Sequence, residues 1–484
     1  MQYEYKTKPF EHQEVALKQS CEEKNWGYLM EMGCGKSKVL IDNAAYLYEA
    51  GKIDTLIVVA PKGVYRNWVL KEVPQHMPDR IEHRMYTWRS TANKAQQKEL
   101  IEALSYNDGL RILVINVEAF ASAKVTGYLG QFIRKDTSLM LAVDESTTIK
   151  NPKAKRTKAL TAVGRLAKYK RILTGSPVTK SPMDLFSQCA FMSPDLLGYS
   201  NYYAYQNRYA ITRRQRMGAH SFEQIVGYRN LDELSTRLSF FTSRVLKKDC
   251  LDLPEKTYLP RYVALSPEQV KYYRSIKENA IALLDNGKML TAPQVMTQLV
   301  RLQQVLCGYL VTDDGETTII PNRRIDALLE TVEEMDGKVI IWSRFRKDIM
   351  MITEKLNQVY GQGSAGSYFG DTSDDDREAL VLNFQNPDHG TRFFIGNPQT
   401  AGYGLTLTEA NNVIYYANDF NLETRVQSED RCHRIGQTKA VTYVDLIAEG
   451  TVDEHIVKSL TSKIKLAGAA LGEEMREWLK LDVI

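Results

Sequence analysis

Cysteine is scarce: six residues, Cys21, Cys34, Cys189, Cys250, Cys307 and Cys432, are scattered over 484 positions with no C-x-x-C pair. The seven histidines fall at no ligand-like spacing with them. This excludes a zinc-ribbon or disulfide-scaffold design and points to a reducing compartment. Long apolar runs are also missing, none approaching the roughly 20 residues that span a bilayer. The first residues, MQYEYKTKPFEHQ, carry charge from the outset, unlike a secretory signal. There is no low-complexity tail, no repeat on the scale of tens of residues and no sustained heptad pattern of an oligomerisation segment. Net charge is small too, and +4 names no partner by itself. The expectation is a soluble, intracellular protein, monomeric and without a membrane partner. Its length suits two or three domains rather than one core.

One local absence is informative. Between Glu145 and Asp184 there is no acidic residue, while ten lysines and arginines run from Lys150 to Lys180. Arg208, Arg213, Arg214 and Arg216 form a second cluster. Charge runs are commonly solvated faces, but a one-signed run this long in a nearly neutral chain fits a phosphate backbone bound without base readout.

Residues 1–180 alternate helical stretches with the apolar runs TLIVVAP (55–61), RILVINV (111–117), SLMLAVDE (138–145) and KRILTGSP (170–177). Similar runs resume at KVIIWSRF (338–345), TRFFIGN (391–397), NNVIYYAN (411–418) and AVTYVDLI (440–447). TLIVVAP, SLMLAVDE and KRILTGSP end in small or polar residues, as buried parallel strands do. From about 181 to 320 the strand signal fades, and segments 266–285 and 293–306 read as helices. Two parallel-sheet α/β domains separated by a helical region is the economical parse.

Gly33-Cys34-Gly35-Lys36-Ser37 reads as a phosphate-binding loop: backbone N–H groups cradle phosphate, Lys36 neutralises it and Ser37 meets Mg2+. Met30 breaks the strict pattern at its first position, and a glycine turn before a helix is the alternative. Asp144-Glu145 ends an apolar strand. There Asp144 holds Mg2+ and Glu145 polarises water, unless the pair is a solvated turn. Gln13 can read an adenine edge or be an ordinary surface glutamine. Thr174-Gly175-Ser176-Pro177 follows another strand as a turn able to link nucleotide state to a polymer. In Thr400-Ala401-Gly402-Tyr403-Gly404-Leu405 the glycines permit close approach to a phosphate of nucleic acid or of ATP. QSEDRCHRIGQ (427–437) sets Gln427, Arg431 and Arg434 at i, i+4 and i+7, one face if helical. Those arginines are either a surface face or fingers that stabilise a transferring phosphoryl group.

Taken in order, FEHQ, MGCGKS, APKGVYRNW, VDESTTIKNPKAKRTKAL, LTGSPV, KVIIWSRF, TAGYGLTLTEAN and QSEDRCHRIGQ resemble the Swi/Snf-type helicase-like ATPases of superfamily two, over about residues 8–460. The resemblance implies two RecA-like parallel-sheet lobes with helical protrusions inserted between them. The lobes would be 1–245, with a protrusion at about 181–245, and 246–484, with a protrusion at about 260–320 and a short bracing C-terminal helix. ATP and Mg2+ would lie in the cleft, and double-stranded or branched DNA would be bound across both lobes through its backbone. Gln13 would meet adenine; Gly33, Cys34, Gly35, Lys36 and Ser37 would hold phosphate and metal. Asp144 and Glu145 would be the catalytic carboxylates, and Gly404, Arg431 and Arg434 would complete the site. Lys62, Lys150, Ser343 and Thr400 would touch the DNA backbone. The activity implied is ATP-driven translocation on duplex DNA, with lobe closure coupled to hydrolysis. The economy of the chain suggests a compact bacterial or viral protein, cytoplasmic (nuclear if eukaryotic), acting on forks or protein–DNA complexes in replication, recombination or repair. A strand-separating helicase and a non-hydrolysing DNA-binding scaffold are the rivals. Three residues depart from the family pattern: Thr147 for histidine, Ser176 for threonine and Cys34 for leucine.

Overall fold

The computed structural model describes residues 3–62, 64–89, 91–217, 220–250, 252–285, 292–311, 316–401 and 405–471. The chain divides into two compact units, one running to Asp252 and joined by the last helix from Lys463 onward, the other spanning Leu253–Ser462.

In the first unit, strands β1 (Asn25–Met30), β2 (Thr55–Ala60), β3 (His83–Thr87), β4 (Leu110–Asn116), β5 (Leu139–Asp144) and β6 (Tyr169–Leu173) alternate with helices. An antiparallel hairpin follows, β7 (Ala210–Met217) with β8 (His220–Tyr228), and then β9 (Thr242–Val245). The sheet runs β3-β4-β2-β5-β6-β1-β9 and every pair in it is parallel. TLIVVA and LMLAVD are buried at every position, as strands covered on both faces require. Because all strands point one way, the loops after β5, β6 and β1 leave the same edge of the sheet from adjacent strands.

The second unit opens with β10 (Lys256–Val263), helices Pro267–Asp285 and Ala292–Leu306, and the short antiparallel pair β11 (Tyr309–Val311) and β12 (Thr317–Ile319). Strands β13 (Lys338–Ser343), β14 (Ala365–Tyr368), β15 (Phe393–Gly396), β16 (Ala410–Ala417) and β17 (Val441–Ala448) follow. Its sheet is β10-β17-β16-β13-β15-β14, again parallel throughout. No helix among the described residues is long and apolar enough to cross a membrane.

Two details differ from the sequence expectation. The stretch 181–320 holds the predicted helices at 267–285 and 292–306, but it also holds the hairpin β7–β8. Arg213, Arg214 and Arg216 therefore lie on a strand, not a helix. Arg171 also leaves the basic run. It is wholly buried and donates to the carbonyls of Ser20, Glu23, Lys24 and Lys170 and to Asn43 Oδ1. In doing so it satisfies acceptors at the C-terminal end of helix Glu11–Ser20 and ties that helix to β6. Lys153, Lys155, Lys158, Arg165, Lys168 and Lys180 remain exposed.

Candidate nucleotide site

β1 delivers the chain to the glycine loop, where Gly33 (φ +90°) and Gly35 (φ +80°) occupy the left-handed region open to glycine. Gly35 caps helix Lys36–Glu49 by backbone alone, with no side-chain hydrogen bond and no acidic residue in the first turn. A helix N-terminus left in this state favours an anion. Lys36 is nearly buried at its first position, with Ser37 half-buried beside it. Met30, which replaces the expected first glycine, is the wholly buried last residue of β1.

Gln13 is buried against this loop. Its Nε2 donates to Cys34 O (3.2 Å) and its Oε1 accepts from Phe10 N–H (3.0 Å). His12 Nε2 also meets Cys34 O at 2.9 Å. A Cβ on Gly35 would sit 2.1 Å from Gln13 Nε2, so only glycine allows this approach. Each amide bond uses one of two available capacities, leaving Gln13 another N–H and another lone pair.

β5 ends on Asp144. Its Oδ2 accepts from Trp68 Nε1–H (2.9 Å) and its Oδ1 from Glu145 N–H (3.0 Å). Burial raises the Asp144 pKa, while the Lys36 charge and these two donors pull the other way. Glu145 follows with φ +46°, one of two non-glycine residues at positive φ among the described residues. Such backbone costs on the order of 1–3 kcal/mol and clusters where a side chain must be aimed. Glu145 Oε2 accepts from Thr174 Oγ1 (3.2 Å), and Thr174 Oγ1 in turn accepts from Ser176 N–H (3.2 Å). Ser146 donates to Gln188 Oε1 (2.7 Å), and Thr147 is buried in the turn that follows.

The loop after β6 also presses on the glycine loop. A Cβ on Gly175 would lie 3.1 Å from Met32 N and 3.4 Å from Glu31 Cα and Met30 O. Arg244 clasps β1 and this loop, donating to Leu29 O (2.8 Å) and Gly175 O (3.1 Å). Gly175→Val is therefore expected to displace the phosphate loop, at about 1–3 kcal/mol for the overpacking, and to weaken binding of an ATP analogue. A titration showing wild-type affinity in that variant would contradict the packing described.

In the second unit, helix Leu422–Glu429 stops before the arginines, so the expected shared helical face does not exist. Gln427 stays on the helix, while Arg431 and Arg434 lie in the turn beyond it. Tertiary bonds win over the helical ladder here. Arg431 O accepts from Leu407 N–H (2.9 Å), and Gln437 Nε2 donates to the carbonyls of Thr408 (3.0 Å) and Ala410 (2.8 Å). The two guanidiniums still converge: Arg431 and Arg434 each donate to Leu405 O at 3.2 Å. Gly404 lies outside the described residues.

Lys62 is exposed; Lys150 is half-buried and donates to Thr179 Oγ1 (2.6 Å); Thr400 is half-buried in its loop. Ser343 is wholly buried at the end of β13, with its hydroxyl donated to Asp348 Oδ2 (2.6 Å). Residues whose part sequence reasoning missed are Trp68, Arg244 and Gln188. Trp68 stands in the APKGVYRNW motif, but nothing local announces that its indole reaches Asp144.

Residues 10–309 match the SNF2-related domain, and residues 323–436 match the helicase conserved C-terminal domain. The chain belongs to the SNF2-related family, and each of its two units is built on a parallel sheet. Among its relatives, the mouse chromodomain-helicase-DNA-binding protein 1-like is 25% identical over 457 residues, covering 91% of this chain and 47% of that one. The ISWI chromatin-remodeling complex ATPase ISW1 of Saccharomyces cerevisiae is 24% identical over 456 residues, covering 90% and 38%. The chain thus spans about half or less of the length of these curated relatives. A solved structure, the Sulfolobus solfataricus SWI2/SNF2 ATPase core in complex with dsDNA, aligns over 99% of this chain and 97% of its own, at 22% identity and a TM-score of 0.42.

Proposed function

We propose that this chain is a DNA-dependent ATPase that moves along double-stranded DNA. The observation that carries the proposal is the Thr174–Glu145–Asp144 linkage beside the glycine loop, on three adjacent strand ends of a SNF2-family sheet. In this reading Lys36 and the N–H groups of 33–37 hold the triphosphate, and Gln13 turns its spare amide capacity to adenine. Ser37 Oγ and Asp144 would hold Mg2+, which when bound would supply positive charge against the phosphates. Glu145 accepts a proton from the attacking water, held on its aim by Thr174.

Arg431 and Arg434 meet the γ-phosphoryl only when the two lobes close. That dependence couples hydrolysis to motion. The exposed lysines and arginines of 153–180, with Lys62, Lys150 and Thr400, contact the duplex backbone, a mode that reads no bases.

Displacement of a third strand from a triplex tests movement without requiring strand separation. The expected result is ATP-dependent release of the third strand with the underlying duplex left paired. Unwinding of a tailed duplex, with no triplex release, favours the strand-separating rival. Release independent of ATP contradicts a motor.

A further inference from the structure

The sulfurs of Cys34 and Cys250 lie 3.8 Å apart although 216 positions separate them in the chain. Cys34 is wholly buried in the phosphate loop, its N–H donated to Glu31 O (3.1 Å) and its carbonyl held by His12 and Gln13. Cys250 ends the short helix Lys247–Cys250 and is only partly buried. The two segments share an anchor. Glu31 N–H donates to Val245 O (3.0 Å), and Glu31 Oε2 accepts from Lys247 N–H (2.9 Å). The thiols therefore face one another across backbones already tied together.

We propose that Cys34 and Cys250 are a modification site: they close into a disulfide that locks the phosphate loop and lowers nucleotide binding. The switch rests on the ATPase reading of that loop. The oxidant is a low-molecular-weight disulfide such as oxidised glutathione. The Cys250 thiolate, on the accessible side, attacks that disulfide, forming a mixed disulfide and expelling one glutathione thiol. Cys34 Sγ then attacks the Cys250 sulfur, expelling the second glutathione, and each protein sulfur gives up its proton. Two protein thiols are oxidised and one glutathione disulfide is reduced to two thiols.

A disulfide needs about 2.05 Å between sulfurs, so closure draws the loop and the 247–250 segment together by rotation about the cysteine side chains or by a shift of the loop. A loop drawn off its relaxed packing binds phosphate less well, and a displacement on the order of 1 Å also costs on the order of 100-fold in rate at a reacting centre. Burial raises the pKa of both thiols. Little thiolate is therefore present, so the pair reacts slowly and closes on sustained rather than brief exposure to oxidant.

The test incubates the purified full-length chain in glutathione redox buffers, then maps alkylated peptides and titrates a fluorescent ATP analogue. Expected are a linked Cys34–Cys250 peptide pair, analogue affinity lowered on the order of 10–100-fold through strain in the drawn-in loop, and full recovery with dithiothreitol. Cys250→Ser and Cys250→Ala should bind normally and ignore the buffer. No linked pair in strongly oxidising buffer overturns the proposal, and so does a linked chain that binds as the reduced one does. A reduced chain that binds no nucleotide at all overturns the switch through the ATPase reading, a failure recognisable without any oxidant.

Discussion

Glu145→Gln should bind ATP as wild type does and lose on the order of 10²–10⁴ in turnover. Glutamine matches the shape of glutamate, accepts the same hydrogen bond from Thr174 Oγ1 and fits the same strained backbone at φ +46°. What it cannot do is take a proton from water. Affinity and chemistry therefore separate in this variant: analogue titration stays flat while single-turnover hydrolysis collapses. Lys36→Ala should fail earlier, at binding, because it removes the charge that acts on Asp144 and that the proposal sets against the phosphates. Near wild-type turnover in Glu145→Gln would move the general base elsewhere and would leave Glu145's strained backbone without a catalytic reason.

Asp445→Ala is the second large effect, on stability rather than chemistry. Arg425 is buried in the second unit, and its guanidinium donates to Asp445 Oδ1 (2.5 Å) and Oδ2 (3.1 Å), to Glu429 Oε1 (2.8 Å) and to Asn418 Oδ1 (2.8 Å). It also stacks 3.5 Å from the centre of the Tyr415 ring. Burial works against its charge, yet Asp445, Tyr415 and Glu429 outweigh that and push its pKa well above the ordinary range. Removing one carboxylate leaves a buried cation half-compensated, at a cost of about 3–5 kcal/mol. The network spans β16, helix Leu422–Glu429 and β17, so the turn carrying Arg431 and Arg434 should loosen with it. Urea unfolding is expected to show the second unit melting early with the first unit's transition unmoved. A change below about 1 kcal/mol, the worth of an exposed pair, would contradict the burial described.

Legibility in the sequence followed burial. The eight apolar runs read as strands are β2, β4, β5, β6, β13, β15, β16 and β17, and all of them are interior strands of the two sheets. Among those missed, β3 (HRMYT), β9 (TSRV), β10 (KTYLPRYV) and β14 (AGSY) are edges, paired on one side and under no demand for continuous apolar sequence. β1 (NWGYLM) is the interior exception. Asn25, Gly27 and Tyr28 break its apolar signal, and Gly27 is there because a Cβ would stand 2.9 Å from Thr242 of β9. The hairpin β7–β8 buries little and carries arginines, so neither period was readable.

At the site, the glycine loop and Asp144-Glu145 were legible because small residues and carboxylates at strand ends are local signals. The spacing of Arg431 and Arg434 offered one face if helical; long-range bonds to Leu407, Thr408 and Ala410 end the helix early, and the two side chains meet at Leu405 O instead. Burial of Ser343 under Asp348 and of Arg171 under four carbonyls is tertiary information that no short window carries.

The most direct measurement is steady-state ATP hydrolysis by the purified chain at one fixed low salt, with no nucleic acid, single-stranded DNA, duplex DNA or a branched fork. The account predicts strong stimulation by duplex or fork, little by single strands, and none in Lys36→Ala or Glu145→Gln. Hydrolysis indifferent to every DNA, or surviving in both variants, would contradict it.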